Sequence, residues 1–122
     1  YAYNDKITSK KWVLEGQEKI ISYLYKIKDL LDRNNIEMVI LYYPSAIDVL
    51  NDNKIKEDSK HYAMLHNWAL FNNISFIDTH QFFFRTNKPV TNYKTNFITC
   101  DIHWNANGHK IIANRIINYL NN

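Results

Sequence analysis

Only two glycines, two prolines and one cysteine occur among the 122 residues. A single cysteine, Cys100, excludes an intrachain disulfide framework, although it leaves the redox compartment open. No apolar run approaches the roughly 20 residues that a membrane span requires. Charge of one sign is also scarce: 15 Lys and Arg are interspersed with 12 Asp and Glu, for a formal net charge of +3. That balance is too weak and too scattered for a nucleic-acid surface. The opening YAYNDKITSKKW has neither an initiator Met nor the apolar centre of a signal peptide, so a processed product or a fragment is expected. Internal repeats, low-complexity tracts and convincing linkers are lacking too.

What the chain does contain is apolar. It is 46% hydrophobic and 15% aromatic, which at this length suits one domain with a packed core. In EGQEKIISYLYKIKDLLDRNN, Ile20, Leu24, Ile27 and Leu31 share a stripe, predicting an amphipathic helix over residues 15–33 that Asn34 and Asn35 close. Met38 to Tyr43 is almost wholly apolar and stops at Pro44, the pattern of a strand buried on both faces of a parallel sheet. Ser59 is placed to cap a helix, KHYAMLHNWALFNN, with Leu65, Trp68, Ala69 and His61 along one side and Asn72 and Asn73 at its end. Of His61 and His66, one is expected to be partly buried and the other solvated. ISFID, residues 74–78, predicts a second short strand, and THQFFFR an aromatic turn. The polar stretch Thr86 to Thr99 reads as a loop. Ile112, Ile116 and Leu120, four residues apart, predict a last helix with Asn105 as its N-cap. Trp12, Trp68 and Phe82 to Phe84 are expected in the core, Cys100 as a small buried residue, and His80 on the surface.

The order helix, strand, helix, strand, loop, helix is that of a doubly wound α/β fold with parallel strands. Two strands make a poor sheet where about five or six are usual. The sequence therefore reads as the back portion of a larger α/β domain, or as a chain that pairs with another.

Chemistry concentrates in CDIHWNANGHK, residues 100–110. Asp101 and His103 are two apart just before a helix, a spacing that lets the carboxylate hold one imidazole nitrogen and leave the other free. This is the Asp-His half of a nucleophilic triad, in which the acid fixes the tautomer and the imidazole takes a hydroxyl proton. Asn105 is suited to cap the helix, and Gly108 in its first turn allows a neighbouring backbone or side chain to come close. His109 is expected to pack or hydrogen-bond within that turn.

DIHWNANGHKIIANRI resembles the C-terminal signature of the SGNH (GDSL-like) hydrolase superfamily, where an Asp-His pair is followed by Asn, Gly and often a second His at the start of the last helix. VILYYPSAIDVL and NNISFIDTHQFF are similar to the strands and turns that precede it, so the resemblance covers roughly residues 36–120, with the terminal motif its specific part. It implies the back portion of a flavodoxin-like three-layer α/β/α fold with parallel strands. It implies a serine esterase or O-acyl(acetyl)transferase acting on a small ester or acylated carbohydrate, with Asp101 orienting His103 as general base. Neither metal nor organic cofactor is required for that chemistry. Trp104 either lines the substrate pocket or staples the final helix, and Asn105, Gly108 and His109 complete the structural motif. The family also suggests the cell envelope or a secreted location.

The departures matter equally. The family's nucleophile lies in a Gly-Asp-Ser-type block, and its oxyanion donors include a Gly and an Asn from two further blocks; this sequence has none of the three. Residues 1–122 are thus expected to form a single partial α/β domain that is inactive alone and pairs with a missing N-terminal half or with itself. Four rival readings stand beside this one. The first is a noncatalytic domain that binds carbohydrate or protein. In the second, Asp101 and His103 merely satisfy backbone groups at a helix start. The third is a metal site built from Cys100, Asp101, His103 and His109, for which the usual zinc spacings are missing. Last, Cys100 could serve as a nucleophile if a nearby cation or helix terminus lowered its pKa.

Overall fold

The structure, a computed structural model, describes residues 6–56 and 59–122, with the side chains of 6–10 and 60 left aside. It divides into two compact units, one ending at Met38 and the other running from Val39 to Asn122.

The first unit is the helix α1, Lys6–Arg33. It begins well before the predicted residue 15 because no proline interrupts KITSKKWVL and Gly16 is tolerated in the helix interior. Lys11–Glu15, Lys28–Asp32 and Asp29–Arg33 form ion pairs four residues apart, the spacing at which helix side chains meet. Leu24 and Leu31 are half-buried. Trp12, expected in a core, is 61% exposed.

In the second unit, β1 (Val39–Tyr42) and β2 (Ser75–Asp78) pair in parallel, with Val39 opposite Ser75 and Tyr42 opposite Asp78. The chain is mixed α/β; among the described residues there are five α-helices, and these two strands are the whole sheet. Between the strands lie α2 (Ala46–Leu50) and α3 (Lys60–Phe71); after β2 come a 3₁₀ turn (His80–Phe83), α4 (Pro89–Asn96) and α5 (Ala106–Leu120). Alternation puts Tyr42 and Phe76 on the face where Tyr62 and His66 of α3 pack edge-on. Leu41 and Ile77 point the other way and share a small apolar groove with Ile116, Tyr119 and Leu120 of α5. Strands buried on both faces were expected, but Val39 stays exposed.

A core cluster from the elements that follow the two strands contains Ala46, Val49, Phe83, Tyr93, Phe97 and Ile112, with Leu41 of β1 packed against it. Phe83 and Phe97 are almost completely enclosed, each contributing roughly 1.5–3 kcal/mol by leaving water. Ser45 caps α2 through a reciprocal pair with Asp48, and Ser59 caps α3 by accepting from the Tyr62 N–H.

With few glycines, the chain gives its left-handed positions to other residues: Asn35, Asp52, Asn73 and Cys100 all have φ between 53° and 63°. The first three close α1, α2 and α3 in the same way. In each, the following residue donates back five positions, as in Ile36 N–H to Leu31 O, Asn53 N–H to Asp48 O and Ile74 N–H to Ala69 O. This is the Schellman closure, where Asn is the usual substitute for Gly.

Four expectations need correction. Residues 86–99 are not all loop, because Pro89 starts α4, whose buried asparagines hydrogen-bond as helix residues do. The short helix α2 was not anticipated. Cys100 is exposed, since its turn projects outward. His80 is only 4% exposed, held between Tyr42 and Phe84 with Nε2 3.1 Å from the Asn53 carbonyl. Of the α3 histidines, His66 is the half-buried one and His61 the solvated one. No helix among the described residues is long and apolar enough to cross a membrane.

Candidate functional site

Asp101 and His103 sit in a small hairpin between α4 and α5. Phe97 and Trp104 bridge in antiparallel fashion, the Ile98 N–H donates to the His103 carbonyl at 3.0 Å, and the Asp101 N–H donates to the Ile98 carbonyl at 3.0 Å. Cys100 occupies the third place of the resulting turn with φ 63°, the sign a type II turn requires there.

The Asp101 Oδ1 accepts three donors: the Ile102 N–H at 2.6 Å, the His103 N–H at 3.1 Å and the His103 ring Nδ1 at 2.6 Å. The His103 ring and backbone donors, and then Ile102, hold the Asp101 carboxyl below its ordinary range. It is therefore ionised at neutral pH and can only accept, so the Nδ1 facing it carries a proton, and a neutral ring in this tautomer has its lone pair on Nε2. The His103 side chain is 76% exposed, which leaves Nε2 open to solvent.

Asn105 joins the two helices around this hairpin. Its Oδ1 accepts from Asn107 N–H at 2.9 Å and Gly108 N–H at 3.1 Å, capping α5. Its Nδ2 donates to the carbonyls of Thr95 at 3.0 Å and Phe97 at 3.1 Å, at the end of α4. Gly108 is buried where a Cβ would lie 2.8 Å from the Cβ of Trp104 and nearer still to the Asn96 carbonyl. Trp104 packs edge-on against Tyr43 at 4.4 Å and against His109 at 5.4 Å. The hairpin is thereby seated beside Tyr43, the residue after β1, at the carboxyl end of the parallel strands. Ligand sites of open α/β sheets occupy that end.

Among the described residues, the molecule's other acidic, histidine, cysteine and serine side chains are not drawn in. Asp78 is tied to Lys56 and hydrogen-bonds the His80 N–H at 2.9 Å, while its Oδ2 accepts from the Tyr62 hydroxyl at 3.4 Å. The Asp78–His80 repeat of the Asp-x-His spacing is thus a strand-end network. Among the described residues no three His, Cys, Asp or Glu side chains converge as metal ligands, Cys100 and His109 included. The Ser45 and Ser59 hydroxyls serve helix caps, and no described serine is hydrogen-bonded to His103. A cavity of about 350 Å³ lies by His80, and one of about 660 Å³ lies between β2 and α5. Neither includes Asp101 or His103.

Sequence reading missed Tyr93, Tyr43, Asn96 and Asn107 at this site. The four-residue spacing of Tyr93 and Phe97, whose rings stack at 5.6 Å, was the signal available for the first. Comparison with protein-family models, with curated proteins and with solved structures finds no match to this chain.

Proposed function

We propose that this chain supplies the Asp-His half of a Ser-His-Asp triad in an SGNH-like serine esterase or O-acyltransferase of flavodoxin-like α/β/α architecture. The carrying observation is the 2.6 Å contact from His103 Nδ1 to Asp101 Oδ1, mounted beside the carboxyl end of parallel strands. In this reading, Nε2 of His103 takes the proton of a serine hydroxyl as that oxygen attacks the ester carbonyl. His103 then returns the proton to the departing alcohol, and Asp101 stabilises the imidazolium in between. The serine and the oxyanion donors come from outside these residues, on strands that would extend the sheet past β1. A small ester or acylated carbohydrate is the substrate class, with Trp104 and Tyr43 forming one wall.

The test uses the longest natural product of the gene and a small activated acetyl ester. His103→Ala is expected to abolish hydrolysis, and Asp101→Asn to slow it by roughly 10³- to 10⁴-fold. Rates equal to the unaltered protein's would remove the pair from the mechanism. The exposure of the His103 side chain, 76%, favours a second reading: a noncatalytic domain on the same scaffold that binds carbohydrate or protein. Absence of any ester hydrolysis from that longest product, with the fold intact, would select this alternative.

A further inference from the structure

We infer that Tyr93 is the positioning residue of the pair, its hydroxyl fixing Asp101 and through it the tautomer of His103; this rests on reading the pair as half of an acyl-transfer triad. Tyr93 belongs to α4, and its ring is buried in the core against Phe97. The hydroxyl leaves that core and meets the hairpin alone. It accepts the Asp101 N–H at 3.0 Å, and its proton is offered to the carbonyls of Ile98 at 2.9 Å and Asp101 at 2.8 Å. Both backbone polar groups of Asp101 are thus held by one oxygen.

The turn needs such a hold. Cys100 carries a side chain at φ 63°, a conformation that L-residues other than Gly, Asn and Asp adopt reluctantly, so the Ile98–Asp101 turn is under strain. If the turn relaxed, the Asp101 Cα would swing and its carboxylate would leave the His103 ring, which has 76% of its side-chain surface in water and, among the described residues, hydrogen-bonds only to Asp101. The ring of Tyr93 and its hydroxyl do separate jobs, and Tyr93→Phe removes only the second.

Two measurements test this. In the first, ¹⁵N NMR of the imidazole follows the His103 tautomer: the unaltered chain should be almost wholly in the Nδ1–H form, and Tyr93→Phe should mix the two forms while the amide spectrum of α4 and α5 is kept. In the longest natural product, the same variant should lower kcat for the acetyl ester by about 10- to 100-fold, as misplacement of this kind does, with KM little changed. An unaltered tautomer ratio in Tyr93→Phe would overturn the inference. Should that variant fail to fold, the Tyr93 hydroxyl proton of the unaltered chain decides: bonded to the Ile98 and Asp101 carbonyls, it must exchange at least about tenfold more slowly than that of the exposed Tyr23, and equal rates overturn the inference. If His103→Ala leaves hydrolysis intact while Tyr93→Phe still mixes the tautomers, the acyl-transfer reading falls and the positioning of the pair by Tyr93 stands.

Discussion

Gly108 presses its Cα side against the Asn96 carbonyl, so at that point the first turn of α5 meets the last turn of α4 backbone to backbone. That carbonyl also receives the Asn105 N–H at 3.0 Å, and it cannot retreat without losing the bond. Gly108→Ala should therefore destabilise the fold by about 1–3 kcal/mol, the usual result of overpacking, although alanine favours a helix elsewhere. Gly16→Ala, at a helix position with nothing within 4 Å, should instead be neutral or stabilise by up to ~1 kcal/mol. Urea denaturation of the two variants checks the contrast, and equal effects would show that the contact at Asn96 is not tight.

Asn105 works with both ends of its amide, and Asn105→Asp separates them. The carboxylate retains the acceptor for Asn107 and Gly108 and suits a helix N-terminus. It also faces the Thr95 and Phe97 carbonyls with an oxygen in place of a donor. A loss of about 1–3 kcal/mol is expected from the unmet carbonyls and their repulsion. If Asn105→Asp is as stable as the unaltered chain, the link to α4 contributes nothing and the residue is only a cap.

His80 makes the fold sensitive to acid. Burial pushes its pKa below the ordinary 6.5, outweighing Asp78, the Asn53 carbonyl and Asp48, which favour the charged form; Lys56 adds to the lowering. The unfolded chain consequently binds a proton at a pH where the folded chain does not. Stability from this group is complete above pH 6.5 and is lost as pH falls through that value. Between about pH 7.5 and about pH 5.5 the unaltered chain should lose more stability than His80→Phe, by at most about 1.4 kcal/mol for each pH unit. Chemical denaturation at the two pH values measures this, and parallel losses would show that His80 titrates alike in both states.

The helices and strands were legible where a period or a cap announced them. Ser59, Asn105 and the isoleucines of α5 all lie in the elements they predict. Residues 86–99 were misread because Asn and Thr prefer loops when solvated, whereas Asn92 and Asn96 are buried and bonded to Thr86, Asn107 and their own helix. His80 was misread for a related cause: a histidine beside a strand end is surface unless aromatic neighbours close over it, and Phe84 does so from four residues on. At the candidate site, the i,i+2 spacing of Asp101 and His103 spoke for their contact. The hold from Tyr93 was illegible, since no local pattern ties a hydroxyl to a backbone eight residues away.

Every bond that shapes the Asp101–His103 pair, from the Tyr93 hydroxyl to the Asn105 cap, begins and ends between Tyr93 and Gly108. The geometry of His103 is thus written into one contiguous stretch, short in loop closure and quick to form. The pair is a cassette: substitutions elsewhere in the sheet can change what His103 meets while leaving untouched how it is held.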